Sequence, residues 1–413
     1  METKETNKKL LIVSIWVNRW SLGSEAGVSD DYHFVRGFTA AGWEVHFLAP
    51  EGAEEANAVF PGVRTHTYEN FFKRTMHRSN AFKRLYWPEK FRRVVTKRAL
   101  EVAQEVQPDF ILGHSHYTTE TTHRCRKLLG IPSGVKLFGV MDLVHTEWPR
   151  WKYVFKNFEQ LRAFRYPQDM WIVLDDGTRG DEVLRARGVP SDRIYFLPNG
   201  LDVQWGEQKY ERAGARAAFG IPGSATVVLF LARLVPSKRP QELIQAVARV
   251  EKRTEGEITF VFAGDGPERL PSLALARDLG VAHLVKFVGV VPHADIPKLM
   301  AASDLFVATG NLTNMALPTC EALICGVPVV AYDVGDTRKV VVPGETGMLV
   351  EDGNTARLAD AIAGLVNDPK LRARMGRNAR ALARERFTGW DQRIAMELDI
   401  IGSLALREKN GGV

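Results

Sequence analysis

The stretch Thr226-Val-Val-Leu-Phe-Leu-Ala-Arg-Leu-Val-Pro-Ser-Lys-Arg-Pro240 joins an apolar run to a short polar turn that ends in proline. A continuous apolar run of this length is typical of a strand that is buried on both faces of a parallel sheet. Proline suits the first turn of a helix because its fixed φ is already close to the helical value. The stretch therefore predicts a strand at 226–232, a turn, and a helix from Pro240 to about Arg249.

The same order of strand, turn and helix recurs in both halves of the chain. The predicted elements are strands at 10–16, 43–49, 109–112, 135–140 and 170–174 with a helix at 30–41, then strands at 258–263, 285–288, 305–308, 327–332 and 348–350 with a helix from Asn354 to about Val366. This alternation predicts an α/β fold with two doubly wound parallel-sheet domains. If the domains face each other, the carboxyl ends of both sheets meet at one cleft, where ligands of such sheets bind.

A length of 413 residues suits two domains. We place the boundaries so that 1–203 and 204–386 form the sheet domains and 387–413 forms a helical tail. The composition, 45% hydrophobic and 25% charged, is typical of a soluble globular protein. We find no signal peptide and no apolar run of the roughly 20 residues that span a bilayer. The three cysteines lack metal or redox spacing, so we expect reduced thiols in a cytoplasmic protein without a cofactor.

The net charge of +6 is unevenly distributed. Lysines and arginines recur between Lys73 and Arg98 with aromatic residues interleaved, and only Glu89 opposes them within the segment. This mixture suits an anionic surface at the inner face of a membrane, or an anionic acceptor. A solvated helical face with a few core aromatics is the alternative. Nucleic-acid binding is not expected, because no known nucleic-acid module is visible.

The most informative segment for chemistry is Gly310-Asn-Leu-Thr-Asn-Met-Ala-Leu-Pro-Thr-Cys-Glu-Ala-Leu-Ile-Cys-Gly326. We expect a helix to start near Asn314 or Met315, so that the backbone amides at its N-terminus form a phosphate site. Glu321 is the only charged residue in this helix, and a buried unpaired carboxylate is costly. Ribose hydroxyls of a nucleotide would each donate a hydrogen bond to it. A glutamate that faces solvent or pairs with a cation is the alternative.

Two cations follow the strand at 226–232. Arg233 lies at its carboxyl end and Lys238 in the next turn, where both can neutralise a diphosphate leaving group. A solvated turn is the alternative. Gly264 and Gly266 follow the next strand and let a ligand approach the backbone closely. The strand at 285–288 brings backbone groups around Val288 to a nucleotide base.

The first half offers weaker candidates. Gly27 lies in a loop before a helix, where backbone amides can meet the donor phosphates or the acceptor. His114 and His116 end a strand and share one side of it if the extended path continues. Asp142 and His145 follow another strand. For each histidine a structural role is the alternative.

Together, these segments resemble the retaining glycosyltransferases of family 4, whose GT-B fold has two facing Rossmann-like domains. The resemblance rests on Leu-Pro-Asn-Gly-Leu-Asp202, Ala-Arg-Leu-Val-Pro-Ser-Lys238, Ala-Gly-Asp-Gly-Pro267 and Cys-Glu-Ala-Leu-Ile-Cys-Gly-Val-Pro328. It implies an acceptor-side N-terminal domain, a nucleotide-sugar-binding second domain and a final helix that returns to the first. It also implies that Arg233 and Lys238 hold the diphosphate, that Glu321 binds the ribose, and that no metal is needed.

Two positions depart from the family pattern. The first of the family's paired glutamates falls at Thr313, and the usual Gly-Phe-Gly after it reads Asn314-Met315-Ala316. The usual first-domain histidine falls at Met141. Backbone amides from Thr313 to Leu317 can still contact the sugar. We interpret the changes as an altered donor sugar or a divergent branch of the family.

The resemblance implies retaining transfer from a UDP- or GDP-sugar to a glycan, lipid or small-molecule hydroxyl, in glycan or polysaccharide biosynthesis. Arg233, Lys238 and Glu321 would act at the donor, and His116 and Asp142 near the acceptor. Two alternatives stay open at this point. One is a catalytically weak partner subunit that binds nucleotide sugars, and the other is a GT-B-fold nucleotide-sugar epimerase.

Overall fold

The computed structural model describes residues 8–15, 29–52, 60, 62–69, 81–140, 149, 151, 154 and 157–410. The strands of the first half are β1 Lys9–Val13, β2 Glu44–Pro50, β3 Arg64–Tyr68, β4 Phe110–His114, β5 Ser133–Leu137, β6 Met170–Asp175 and β7 Ile194–Pro198. They pair in parallel in the order β3-β2-β1-β4-β5-β6-β7. The strand order reverses direction between β1 and β4.

The second half repeats this plan. Its strands are β8 Thr226–Leu231, β9 Ile258–Ala263, β10 Val285–Gly289, β11 Leu305–Ala308, β12 Val329–Tyr332 and β13 Gly347–Val350. They also pair in parallel, in the order β10-β9-β8-β11-β12-β13, and the reversal falls between β8 and β11. Two doubly wound parallel sheets are therefore present, as the alternation of strands and helices predicted.

Helices cover both sheets. In chain order they are α1 Ser29–Ala40, α2 Ala81–Val106, α3 Thr119–Leu129, α4 Phe158–Ala163, α5 Gly180–Ala186, α6 Arg212–Ala218, α7 Pro240–Val250, α8 Arg269–Asp278, α9 Ile296–Ala302, α10 Leu317–Ile324, α11 Thr355–Asn367, α12 Pro369–Arg386 and α13 Trp390–Asn410. The expected cap of α11 is confirmed, because Asn354 Oδ1 accepts a hydrogen bond from Arg357 N at 3.0 Å. None of the described helices is long and apolar enough to cross a membrane.

The apolar run that predicted β8 is buried on both faces of its sheet. Val227 and Leu229 lie in one hydrophobic core, and Val228 and Phe230 lie in the core on the other side. Successive side chains of a strand point to opposite faces, so a strand between two helical layers needs apolar residues throughout. This requirement explains why the continuous run was a reliable signal.

The sequence missed the strands that lack such a run. β3 is polar and pairs only with β2, at the edge of the first sheet, and β7 is the opposite edge with a mixed pattern of burial. β5 runs from Ser133 to Leu137 rather than over 135–140, because its polar residues are buried with partners. β1 ends at Val13, earlier than expected, and residue 16 lies outside the described ranges.

The predicted basic surface on α2 is partly internal. Arg92 is buried, and its guanidinium lies 2.6 Å from Glu89, 3.3 Å from Glu120 and 2.5 Å from Glu159. Glu89 is the only acidic residue within the segment 73–98, and the structure adds Glu120 and Glu159 from later elements. Residues 73–80 lie outside the described ranges, as do the side chains of 81–88.

The final helix, α13, packs against α1 in the first half of the chain. A Cβ atom at Gly37 of α1 would overlap the side chain of Ile394, so the two helices approach closely. The chain thus passes from the first sheet to the second and back again. The two passages touch, since Leu201 N donates a hydrogen bond to Thr388 O at 3.0 Å. The domain boundaries at 203 and 386 stay predictions.

Four buried charges fix α13 against the first sheet. Lys136 of β5 contacts Asp30 of α1, and its Nζ lies 2.8 Å from Glu397 Oε1. Arg393 Nη2 lies 2.7 Å from the same Glu397 oxygen, and Arg393 Nε donates to Pro198 O at 2.7 Å. Lys136, Arg393 and Glu397 are each fully buried. Removing one member of such a cluster leaves a buried charge without its partner.

We expect Glu397→Gln to lower the free energy of unfolding by about 3–5 kcal/mol, because Lys136 and Arg393 would lose the anion between them. Urea denaturation followed by tryptophan fluorescence measures this loss. Asp391→Asn is the matched control, since Asp391 lies on the same helix in an ion pair with Arg36 and its side chain is 94% exposed. Equal midpoints for the two variants would contradict the prediction.

Candidate functional site

A pocket of about 210 Å³ opens where the second sheet reverses its strand order, between the carboxyl ends of β8 and β11. Ligands of open parallel sheets bind at this position. Its lining residues are Phe230, Leu231, Ala232, Arg233, Lys238, Phe306, Val307, Ala308, Thr309, Gly310, Asn314, Ala316, Pro318 and Thr319. The lining includes two cations and no carboxylate.

The structure brings Arg233 and Lys238 together at this pocket. Arg233 is exposed, and Lys238 is partly buried in the turn that follows. Thr309 Oγ1 donates to Lys238 O at 2.7 Å, which holds this turn against the end of β11. Burial lowers the pKa of Lys238, and the adjacent charge of Arg233 lowers it further. Two neighbouring positive charges repel each other, so a bound anion would stabilise both charged side chains.

Gly264 and Gly266 support the Arg233 segment from behind. Their φ values of +124° and +150° are those that glycine adopts freely, and a Cβ atom at either position would overlap the backbone of Ala232 or Leu234. Leu234 N also donates to Asp265 O at 2.8 Å. At both glycines the backbone of Ala232 or Leu234 lies close to the glycine. The approach of a ligand to these glycines stays a prediction.

The nearby Val288 packs against the core of the second sheet. It lies beside Gly289, whose carbonyl accepts a hydrogen bond from Gly264 N at 2.7 Å. Its predicted contact with a base stays a prediction.

The helix after β11 begins at Leu317, later than the expected start near Asn314 or Met315. Ala316 has an extended backbone, so the helix does not include it. Asn314 is not part of the helix and joins two loops by hydrogen bonds. Its Oδ1 accepts from Gly310 N at 2.9 Å and its Nδ2 donates to Tyr332 O at 3.0 Å. Because Ala316, Pro318 and Thr319 line the pocket, the N-terminal end of α10 still faces it.

Glu321 lies one turn further along α10 and does not line the pocket. Its side chain is buried, and Oε2 has no hydrogen-bond partner among the described residues. Burial raises the pKa of Glu321 to about 7, which His293 opposes and Asp202 reinforces. A buried carboxylate with one unsatisfied oxygen is suited to accept a hydrogen bond from a ligand hydroxyl.

A network centred on Asp202 lies next to Glu321. Asp202 Oδ2 is 3.0 Å from His293 Nε2 and accepts from Trp390 Nε1 at 3.3 Å. Burial opposes the protonation of His293, but the hydrogen bond with Asp202 and the negative charges of Glu321 and Asp202 together outweigh it and raise the pKa. The sequence did not single out His293 or Trp390, because neither the short turn after Pro292 nor the start of α13 resembles a ligand site.

In the first domain the two strand-end histidines separate. β4 ends at His114, and Ser115 has a φ of +81°, so His116 turns into a single helical turn. The expectation that both histidines share one side is therefore wrong. His114 Nδ1 lies 2.9 Å from Asp31 Oδ1, fully buried, in a structural pair. Burial lowers the pKa of His116 to about 4, so this imidazole is neutral at pH 7.

The other first-domain candidates cannot be located. Gly27, Met141, Asp142 and His145 lie outside the described residues. No group of three or more His, Cys, Asp or Glu side chains suited to a metal ion occurs within the described ranges.

Two acidic residues that the sequence missed lie at the carboxyl end of β6, where Asp175 is the last residue of the strand and Asp176 follows it. Asp175 Oδ2 lies 3.7 Å from Lys339 Nζ. The next turn touches the loop before α10, since a Cβ atom at Gly177 would overlap Thr313 Oγ1. Two adjacent aspartates at the end of a strand were the available signal in the sequence, and the charge of Lys238 lowers the pKa of Asp176 against the effect of burial.

Two family models match consecutive parts of the chain. The model of glycosyl transferases group 1 matches residues 211–382, and that of glycosyltransferase family 4 matches residues 32–205. The chain belongs to the family 4 glycosyltransferases. Its two facing parallel sheets are those of the GT-B fold.

Named relatives and solved structures are similar to the chain in sequence or in fold. Alpha-D-kanosaminyltransferase of Streptomyces kanamyceticus is 30% identical over 219 residues, which are 52% of this chain and 56% of the relative. The aligned part thus spans about half the length of the curated relatives. Sucrose-phosphate synthase of Thermosynechococcus elongatus superposes with a TM-score of 0.76 at 18% identity, over 96% of this chain and 99% of that one. Anabaena HepE in complex with UDP and glucose superposes with 0.71 at 20%, over 95% and 100%.

We expect Glu321→Gln to stabilise the ligand-free protein at pH 8 and to change little at pH 5. The ordinary glutamate pKa is near 4.5 and the folded value is about 7, so protonation of Glu321 favours folding. That contribution is complete below the ordinary value and is lost as the pH rises through 7. Melting temperatures across pH 5–8 test this, with the exposed Glu385→Gln as control. A parallel pH dependence in both variants would disprove the assignment.

Proposed function

We propose that this protein is a retaining glycosyltransferase that moves a sugar from a UDP- or GDP-sugar to a hydroxyl group of a glycan, lipid or small molecule. The observation that carries the proposal is the pocket between β8 and β11, where Arg233, Lys238 and the N-terminal end of α10 converge. Three positive features around one cavity suit a diphosphate. Membership in the family supports the reaction class.

The two cations stabilise the leaving group. As the bond between the anomeric carbon and the phosphate oxygen breaks, negative charge accumulates on the nucleoside diphosphate. Arg233 and Lys238 are already positioned at the pocket, so they stabilise this charge without reorganisation. In this proposal the cations take the role that a metal ion has in other transferases, and the reaction is metal-independent.

The new bond forms on the face that the diphosphate leaves. The acceptor oxygen bonds to the anomeric carbon, and the acceptor proton passes to the departing phosphate oxygen. The described pocket lining has no carboxylate or thiol that could form a covalent sugar intermediate. This composition favours front-face transfer, which retains the configuration of the sugar. His116, neutral at pH 7, and Asp142 are the proposed acceptor-side residues.

Glu321 is proposed to accept hydrogen bonds from the ribose, which would satisfy its unpartnered oxygen. Anabaena HepE, which shares the fold, has been solved with UDP and glucose, and this favours UDP over GDP as the donor nucleotide. We place the reaction in glycan or polysaccharide biosynthesis, at the cytoplasmic side of a membrane.

The competing function is a catalytically weak subunit that binds nucleotide sugars. Thr313 favours it, because a threonine stands where the family pattern has a glutamate. An epimerase would instead interconvert the donor sugar without an acceptor. Chromatography of the products with and without acceptor separates transfer from both.

The charge on Arg233 and Lys238 can be tested directly. We expect Arg233→Ala and Lys238→Ala each to lower kcat for transfer roughly 100–1000-fold, because each removes a charge that stabilises the leaving group. Arg374→Ala, an exposed arginine on α12, is the matched control. Transfer at near wild-type kcat by either pocket variant would rule out this role.

We also propose that residues 73–98 contact an anionic membrane. Arg92 does not take part, since it is buried in ion pairs. We expect the protein to sediment with phosphatidylserine vesicles at low salt, and the triple variant Lys73→Glu, Arg74→Glu, Arg78→Glu to lose most of this binding. Vesicles of neutral lipid are the control. Equal sedimentation of both proteins with the anionic vesicles would exclude this surface.

A further inference from the structure

Asp176 follows the last residue of β6 at the rim of the cleft. Its Oδ1 accepts hydrogen bonds from Thr178 N at 3.0 Å and from Thr178 Oγ1 at 2.6 Å. Oδ2 lies against Gly139, where a Cβ atom would overlap it, so the absence of a side chain at Gly139 leaves room for the carboxylate. The hydrogen bonds from Thr178 therefore fix Oδ1, and within the described residues Oδ2 has no donor.

Asp176 lies at a contact between the first domain and the second. Asp176 and Lys238 lie close enough that each shifts the pKa of the other. The neighbouring Gly177 touches Thr313 and Met315, in the loop before α10. Asp176 thus lies where the first domain meets the part of the pocket assigned to the diphosphate.

Burial raises the pKa of Asp176 above its ordinary value, and the hydrogen bonds with Thr178 and the charge of Lys238 oppose this rise without cancelling it. The interactions that oppose burial all favour the carboxylate form. A carboxylate accepts strong hydrogen bonds from hydroxyl groups and repels other anions.

We propose that Asp176 binds hydroxyl groups of the donor sugar and selects neutral sugars over uronic acids. The inference rests on the proposed function, because a sugar attached to a diphosphate at Arg233 and Lys238 would lie beside this rim. The pocket lining itself offers the sugar no carboxylate. Asp176 supplies one from the opposite domain, so the sugar would be contacted only when both domains surround it.

The test compares Asp176→Asn with the wild type. A panel of UDP-glucose, UDP-N-acetylglucosamine, UDP-glucuronic acid and GDP-mannose first identifies the donor that the wild type uses. We expect Asp176→Asn to lower kcat/KM for that donor roughly 10–100-fold while the Kd for the free nucleoside diphosphate changes less than about twofold. The discrimination against UDP-glucuronic acid should fall in the same variant, because the repelling charge is gone.

Two further variants control the comparison. Asp176→Glu keeps the charge and should retain the rejection of UDP-glucuronic acid. Asp192→Asn, an exposed aspartate in the turn just before the amino end of β7, should match the wild type. Melting temperatures establish that each variant is folded.

Three results would overturn the inference. Asp176→Asn with kcat/KM within about twofold of the wild type shows that the carboxylate does not bind the sugar. An equal loss of affinity for the nucleoside diphosphate and the nucleotide sugar shows that Asp176 acts only on Lys238. A wild type that turns over no nucleotide sugar instead refutes the proposed function on which the inference depends, and is recognised before any variant is compared.

Discussion

The arrangement of the two domains depends on one carboxylate, that of Asp202. It lies where the chain passes from the first sheet to the second, and it contacts both His293 of the second domain and Trp390 at the return passage. The two passages between the domains pack closely, since a Cβ atom at Gly200 would overlap the Trp390 ring. A single buried anion therefore links three parts of the chain that are far apart in sequence.

The charges of Asp202 and His293 affect Glu321 in the candidate site. His293 is held by Asp202 and in turn acts on Glu321, while Asp202 itself adds a second negative charge nearby. Among the described residues no donor reaches Glu321 Oε2, so the ionised form of Glu321 lacks a compensating hydrogen bond there. Hydroxyl donors from a ligand would supply the missing interaction. Binding at Glu321 would then depend on how closely the passage between the domains holds His293.

The fold could be predicted wherever a single strand carried its own signal. The run from Val227 to Phe230 had to be apolar at every position because helices cover both faces of the sheet. β3 has no such requirement at the edge, so its polar sequence gave no signal. The burial of Lys136 could not be predicted either. A lysine in a strand is normally exposed, and this one is buried because Asp30 and Glu397 pair with it. Both partners come from other elements, and no local pattern contains them.

The candidate site also has one end that a local stretch of sequence predicts and another that depends on contacts between distant elements. Arg233 and Lys238 belong to one strand and its turn, so their meeting follows from a short stretch of sequence. The contacts at the other end join the two domains, since Gly177 touches Thr313 and Met315. Residues of this kind become neighbours only after both sheets have folded and the passages at Asp202 have fixed their separation. A change in sugar preference therefore need not alter the motifs of the nucleotide end, because the residues at the domain contact can vary while the strand and turn that hold the cations stay the same.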